Sequence, residues 1–465
     1  MKTKYIDLID QTFDWPQDEF DLVDNELRFH NIPLMELVRD YGTPLKFTYL
    51  PRIGYNIQRT KRWFRTARKK IGYEGEYHYC YVTKSSHFKY ILDEVLKYDV
   101  HIETSSAYDL DIVRALYEEG KLDKDATVVC NGFKKDSYLE RMKFMLNDGF
   151  TGIMPIIDHR EELQDFAKGL KVPVDIGIRI ASEEEPKFEF YTSRLGIRYK
   201  EITNFYKENV RRRKNIRLKM LHFFVNTGIN DTAYYWNELT KCLKVYVELR
   251  KICPTLDSLN IGGGFPIKNS LAFSYDYQYI IDTILETIKA SCDEAKIPVP
   301  HIYTEFGSFT VGESGGAIYK VLNQKKQNDR EKWNMIDSSF MTTLPDTWAI
   351  NKRFIMLPLN RWEDEYERVF LGGLTCDSDD YYNSEQHFNA IYLPRFESDN
   401  PLYIGFFHTG AYQDTLGGYG GIHHCLMPQP KHLLIDEDNE GNFEIEVFSE
   451  EQSSDEVLRI LGYRK

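Results

Sequence analysis

Residues 76–84 read EYHYCYVTK, an apolar and aromatic run of strand length that closes on a lysine. Similar short runs follow it: VHIET (100–104), ATVVCN (126–131), GIMPII (152–157), VDIGIRI (174–180), LKMLHFFV (218–225), SLNI (258–261) and HIYTEF (301–306). Stretches with helical periodicity, such as 105–119 and 233–252, separate most of them. Short buried strands alternating with amphipathic helices mark βα units. Eight such units over about 230 residues predict a (β/α)8 barrel, a fold whose chemistry sits at the carboxyl ends of its strands.

The rhythm differs on either side of this core. The first 40 or so residues read as an amphipathic, acidic lead-in, and LKFTYL (45–50) reads as a strand of another sheet. Beyond about residue 310, segments 316–323, 354–359, 367–374, 390–394, 402–407 and 442–448 look like strands without obligatory helices between them. The predicted organisation is an N-terminal segment (1–44), a barrel (45–310) and a second, mainly β domain (311–465). The charged stretches 324–332 and 436–441 read as exposed loops, and the basic run 211–214 as a solvated helix end rather than an anion site.

With 465 residues, 42% of them hydrophobic and 28% charged, the chain has the balance of a folded protein with a large core. A net charge of -13 argues against broad nucleic-acid binding and suits a cationic substrate. Seven cysteines, an odd number with no CxxC pair, read as reduced thiols rather than a disulfide framework or zinc site. No histidine–carboxylate cluster with metal-ligand spacing is visible along the chain. The opening MKTKYIDLIDQTFDW carries acids where a signal peptide would be apolar, and no apolar run approaches the roughly 18 residues that cross a membrane. The expectation is a cytoplasmic chain with no membrane partner.

Three features fall at predicted strand ends. Lys84 closes the first strand, where partial desolvation would favour Schiff-base chemistry; a snorkelling lysine is the bland alternative. Gly262-Gly263-Gly264 follow the seventh strand, where backbone N–H groups can approach a phosphate, or where the chain simply turns tightly. Glu305 ends the eighth strand and would pair with a pyridinium nitrogen, or with a basic neighbour for structure alone. Jointly they would hold both ends and the aldehyde of pyridoxal phosphate.

From about residue 45 to 436 the sequence resembles the alanine-racemase-like, group IV pyridoxal-phosphate decarboxylases. Within these it is most similar to the biosynthetic arginine decarboxylases, on VCNGFK (129–134), TLPDTWAI (343–350), LTCDSD (374–379) and GAYQ (410–413). The resemblance implies that Lys84 holds the cofactor, Gly262, Gly263, Gly264 and Tyr412 bind its phosphate, and Glu305 pairs with its ring. It implies that Cys376 returns a proton to Cα from a partner subunit in a homodimer, and that Asp377 and Asp379 lie near the substrate's distal cation. Some relatives use Mg2+, so that cofactor stays open.

Two positions depart from the family. It usually reads LHFHIGS where this chain reads LHFFVNT (221–227), so Phe224 stands for the stacking histidine and Thr227 for a phosphate-binding serine. Ser308 follows Gly307 where an arginine is common; Arg179 or Arg194 could compensate. The activity implied is decarboxylation of L-arginine to agmatine, an entry to polyamine synthesis. Ornithine, lysine, diaminopimelate or carboxynorspermidine as substrate, and a non-catalytic regulatory homologue, remain as alternatives. A racemase would pair the ring with an arginine, against Glu305.

Overall fold

The computed structural model describes residues 17–183, 192–328, 331–382, 391–414 and 421–464. The opening residues 1–15, the pair 329–330 of one charged stretch, and residue 390 lie outside these. Two units divide the chain: Gly54–Pro266 with Tyr275–Thr310, and the described parts of Met1–Ile53, Ile267–Ser274 and Val311–Lys465.

In the first unit the eight predicted runs are strands: β1 (Tyr77–Val82), β2 (His101–Thr104), β3 (Val128–Cys130), β4 (Ile153–Ile157), β5 (Val174–Ala181), β6 (Ile216–His222), β7 (Ser258–Asn260) and β8 (His301–Glu305). Each pairs in parallel with its neighbours in chain order, and β8 pairs with β1 (Glu305 beside Cys80), which closes the barrel. Alternate side chains turn inward, so Cys80, Val129, Met154, Ile156, Met220 and Tyr303 bury one another as an interior layer. The predicted helices at 105–119 and 233–252 are Ala107–Glu118 and Ala233–Arg250. Ser106 and Thr232 cap them, each side-chain oxygen accepting from a backbone N–H of the first turn. The basic run 211–214 follows the π turn Tyr206–Val210 at the end of Tyr199–Phe205, as a helix end.

In the second unit Gly315–Lys326 is the central strand. It pairs antiparallel with Leu45–Tyr49, Tyr403–Phe407 and Lys332–Ile336. Leu45–Tyr49 thus belongs to another sheet than the barrel, and pairs in parallel with Lys431–Glu437. Two expectations are corrected. Part of the acidic lead-in forms a small antiparallel sheet (Phe20–Val23, Glu26–Phe29, Ile32–Pro33), because Phe20, Leu27, Phe29 and Ile32 bury into an apolar cluster. Both ends of the charged stretch 324–332 are strand, since Gly315–Lys326 and Lys332–Ile336 pair antiparallel. Among the described residues no helix is long and apolar enough to cross a membrane.

Candidate active site

β1 ends at Val82, and Lys84 lies just beyond it in a 3-10 turn, Thr83–Ser85. Two hydroxyls pin that turn: Thr83 Oγ1 donates to the Glu103 carbonyl and Ser85 Oγ to the Val82 carbonyl. Lys84 Nζ donates to Glu103 Oε2 at 2.8 Å. Glu103, on β2, is fully buried, and its other oxygen accepts from Asn131 Nδ2 at 2.9 Å. The same amide donates to Glu305 Oε1 at 2.8 Å, which also accepts from Asn260 Nδ2 at 2.7 Å. Glu305 Oε2 faces His222 Nε2 at 3.5 Å, an ion-pair separation too long for a hydrogen bond.

The two carboxyls are pushed apart. Burial lifts Glu103 above its ordinary value, the Lys84 ammonium pulls it back, and the Glu305 charge adds to the rise. Burial would raise Glu305 too, but His222, Lys84 and the Asn131 amide outweigh it and hold the group at about 2. Environments that separate two acids in this way assign them different roles.

The glycine loop lies beside this network. Gly262 N–H donates to Asn260 Oδ1 at 2.8 Å, and the Gly262 carbonyl accepts from the Glu305 N–H at 2.8 Å. A Cβ on Gly263 would meet the Glu305 carbonyl oxygen at 2.0 Å, so only glycine fits. The loop after β6, which carries Thr227, packs against it: Ile229 N–H donates to the Gly264 carbonyl at 3.0 Å. Phe224 lies in the same loop, with the Arg179 guanidinium 5.9 Å from its ring centre. Arg179 Nε is buried with no hydrogen-bond partner, and burial holds its guanidinium below the ordinary value. Arg194 is exposed, and Ser308 opens the short helix Ser308–Val311.

The other unit carries a second set. Asp380, buried, organises the LTCDSD loop: its carboxylate accepts from Thr375 N–H (3.1 Å), Thr375 Oγ1 (2.7 Å) and Phe340 N–H (2.8 Å). Cys376 is exposed, and its Sγ lies 3.4 Å from Cys425 Sγ. The Cys425 thiol, the first of several causes, raises Cys376 above its ordinary value. The Asp379 N–H donates to Asp377 Oδ1 at 2.8 Å, which orients that carboxylate. Tyr412 has a left-handed backbone, φ 69°. Its neighbour Gln413 exchanges two hydrogen bonds with Asp346 of the TLPDTW segment, at 2.8 and 3.2 Å.

The profile of the family described as pyridoxal-dependent decarboxylase, pyridoxal binding domain, matches residues 57–312. The chain belongs to the pyridoxal-dependent decarboxylases. A biosynthetic arginine decarboxylase of Prochlorococcus marinus subsp. pastoris is 21% identical, over 93% of this chain and 85% of that protein. That alignment runs over 560 residues against the 465 of this chain, so the relative carries segments this chain lacks. Among solved structures, the biosynthetic arginine decarboxylase of Campylobacter jejuni has a TM-score of 0.81 at 20% identity, covering 97% of this chain and 90% of that one. Diaminopimelate decarboxylase of M. jannaschii has a TM-score of 0.79 at 18% identity, covering 95% and 97%.

The decarboxylase cofactor can be tested against the residues present. Glu305 Oε1 is engaged by two amides while Oε2 keeps acceptor capacity for a ring N–H. The backbone approach at Gly263 leaves a cradle that a Cβ would fill, and Arg179 Nε is an unpartnered buried donor. Lys84 lies beside the same network. These features fit pyridoxal phosphate.

Sequence reasoning missed Glu103, Asn131, Asn260 and Asp380 as parts of these sites. Glu103, Asn131 and Asn260 lay inside quoted runs, and a buried acid in the strand beside the lysine's strand was the signal available. Lys134 of VCNGFK is structural: its ammonium is buried against Glu162 and the carbonyls of Gly132 and Ile156. Folding joins the near neighbours Glu76 and His78 to His301, and separately the adjacent His424 and Cys425 to Cys376. Neither is the oxygen-only set that Mg2+ prefers.

Proposed function

We propose that this chain decarboxylates L-arginine to agmatine and CO2. The observation that carries the reading is the chain Lys84–Glu103–Asn131–Glu305 at the strand ends, taken with the acidic loop around Cys376. When bound, pyridoxal phosphate supplies an electron-withdrawing ring that stabilises negative charge at the substrate Cα. Lys84 would hold the cofactor's aldehyde carbon covalently when the group is bound. Glu305, ionised, keeps a proton on the ring nitrogen. Gly262, Gly263, Gly264, Thr227, Ser308 and Tyr412 would hold the phosphate, and Phe224 would supply an apolar face for the ring. The Cα carboxylate leaves as CO2, and Cys376 Sγ gives its proton to Cα; a thiol held above its ordinary value stays protonated at neutral pH for that purpose. Asp377 and Asp379 attract the guanidinium by charge-assisted hydrogen bonds. Cys376 acts across a two-fold interface of a homodimer.

The likeness to a diaminopimelate decarboxylase favours a second reading, another basic amino acid as substrate. Two loop carboxylates disfavour diaminopimelate itself, whose distal carboxylate they would repel. Release of CO2 from carboxyl-labelled arginine, ornithine, lysine and diaminopimelate separates the readings. Arginine should turn over fastest, with agmatine as product; faster release from another of the four overturns the arginine assignment. No release from any, with cofactor bound, favours the regulatory homologue.

A further inference from the structure

Cys376 and Cys425 are 49 positions apart, yet their sulfurs stand 3.4 Å from one another. His424 joins them, with Nδ1 3.3 Å from Cys425 Sγ. The ligand atoms of all three lie within 4.8 Å of one another at the surface. In a tetrahedral zinc site, Zn–S bonds of about 2.3 Å and Zn–N bonds of about 2.0 Å put the donors roughly 3.5–3.8 Å apart. The observed separations reach that spacing with small side-chain rotations.

A second observation points the same way. The other nitrogen of His424, Nε2, faces Asp377 Oδ2 at 3.5 Å. A carboxylate on the far nitrogen of a ligating imidazole fixes its orientation and raises its basicity, the arrangement that supports zinc-bound histidines. The Cys376 N–H donates to Cys425 Sγ at 3.3 Å, which fixes the second sulfur beside the first. Two sulfurs and one imidazole nitrogen are a soft set that selects zinc over Mg2+ or Ca2+.

We propose that Cys376, His424 and Cys425 form a binding site for a divalent, thiolate-preferring transition metal such as Zn2+, with Asp377 as the outer partner of His424. Three protein ligands leave the fourth position to water. Loading exchanges the two thiol protons for the metal: Zn2+ binds, both thiols become thiolates and two protons leave to solvent. The consequence for catalysis rests on the reading of Cys376 as proton donor: a metal-bound thiolate carries no proton to give, so the metal inhibits decarboxylation.

The test uses the full chain with its cofactor, stripped of metal by a chelator and kept reduced with a phosphine. Zinc chloride is added, free metal is removed by gel filtration, and bound zinc is counted by elemental mass spectrometry. The wild type should retain about one zinc per chain, and Cys425→Ser and His424→Ala should retain tenfold less while melting like the wild type. Asp377→Asn should bind about tenfold more weakly. Equal zinc in the wild type and both ligand variants, no zinc in the wild type, or a Cys376–Cys425 disulfide recovered under these conditions overturns the site. In parallel, zinc should slow decarboxylation by the wild type and not by Cys425→Ser. Zinc bound with the wild-type rate unchanged leaves the site standing and removes Cys376 as donor.

Discussion

The Lys84 ammonium and the buried Glu103 carboxylate stand 2.8 Å apart, and through Asn131 the same carboxylate is joined to Glu305. One amide thus bridges the acid beside the lysine and the acid assigned to the cofactor ring. The anion beside Lys84 favours its charged form, whereas attachment of an aldehyde requires the neutral amine.

Replacing Glu103 by Gln keeps the acceptor for Asn131 and removes the charge. The midpoint of cofactor attachment should then move to lower pH, by about one unit or more. An absorbance titration of the holo variant against wild type reads it, and an unmoved midpoint would remove Glu103 from control of Lys84.

Glu305→Gln retains an oxygen for the two amides, so the variant should fold, with a lower melting temperature from the lost charge beside His222 and Lys84. Its turnover should fall on the order of a hundredfold, since a neutral amide cannot hold the ring proton. A variant that turns over normally would sink the assignment of Glu305.

Gly263→Ala drives a Cβ to 2.0 Å from the Glu305 carbonyl oxygen, and backbone cannot rotate away as a side chain can. The expected cost is about 1–3 kcal/mol, together with at least a tenfold loss of cofactor affinity as the loop shifts. Equilibrium dialysis of pyridoxal phosphate checks the affinity and denaturant unfolding the stability.

Asp346 and Gln413 tie two separate loop segments together by reciprocal hydrogen bonds in a buried place. Gln413→Ala should cost about 1–3 kcal/mol by leaving the buried Asp346 N–H without its acceptor, and Asp346→Ala less, because Gln413 Oε1 keeps that backbone N–H and Nε2 keeps the Ala411 carbonyl. The double variant should fall short of the sum by about 0.5 kcal/mol or more; strict additivity would show that the pair does not act as a unit.

A buried cluster predicts the pH dependence of stability. Burial would raise Glu19, but His408 and Lys268 outweigh it and hold the carboxyl far below its ordinary 4.5. A depressed acid contributes stability that is full above 4.5 and drains as pH falls through the folded value. His408 is disfavoured as a cation by burial, yet Glu19 raises it above its ordinary 6.5. Its contribution is therefore full below 6.5 and drains as pH rises through the folded value. Glu19→Gln should lower the melting temperature most between these values, by an amount equivalent to about 3 kcal/mol, with the deficit shrinking toward strong acid. A deficit constant from pH 3 to pH 8 would exclude this linkage.

The barrel was legible because its signal is local. Each strand's apolar run and each helix's periodicity reports burial within a few residues, and Lys84, the triple glycine and Glu305 stand where strand ends fall. The lead-in was not, because the core that buries Phe20, Leu27 and Phe29 is completed by residues hundreds of positions away, such as Phe407. Lys332–Ile336 escaped notice for a related reason: pairing with Gly315–Lys326, not composition, makes it a strand.

By itself, then, the sequence determined the barrel, its order and the lysine, glycines and acid at its strand ends, since periodicity and turn chemistry are properties of neighbouring residues. Only the tertiary structure decided what those residues face. Glu103 became the partner of Lys84 because β1 and β2 run parallel in register, Val82 beside Glu103. Cys425 met Cys376 although 49 positions separate them in the chain. Distances between groups far apart in the chain are set by packing, and packing is a sum over the whole fold that no local stretch contains.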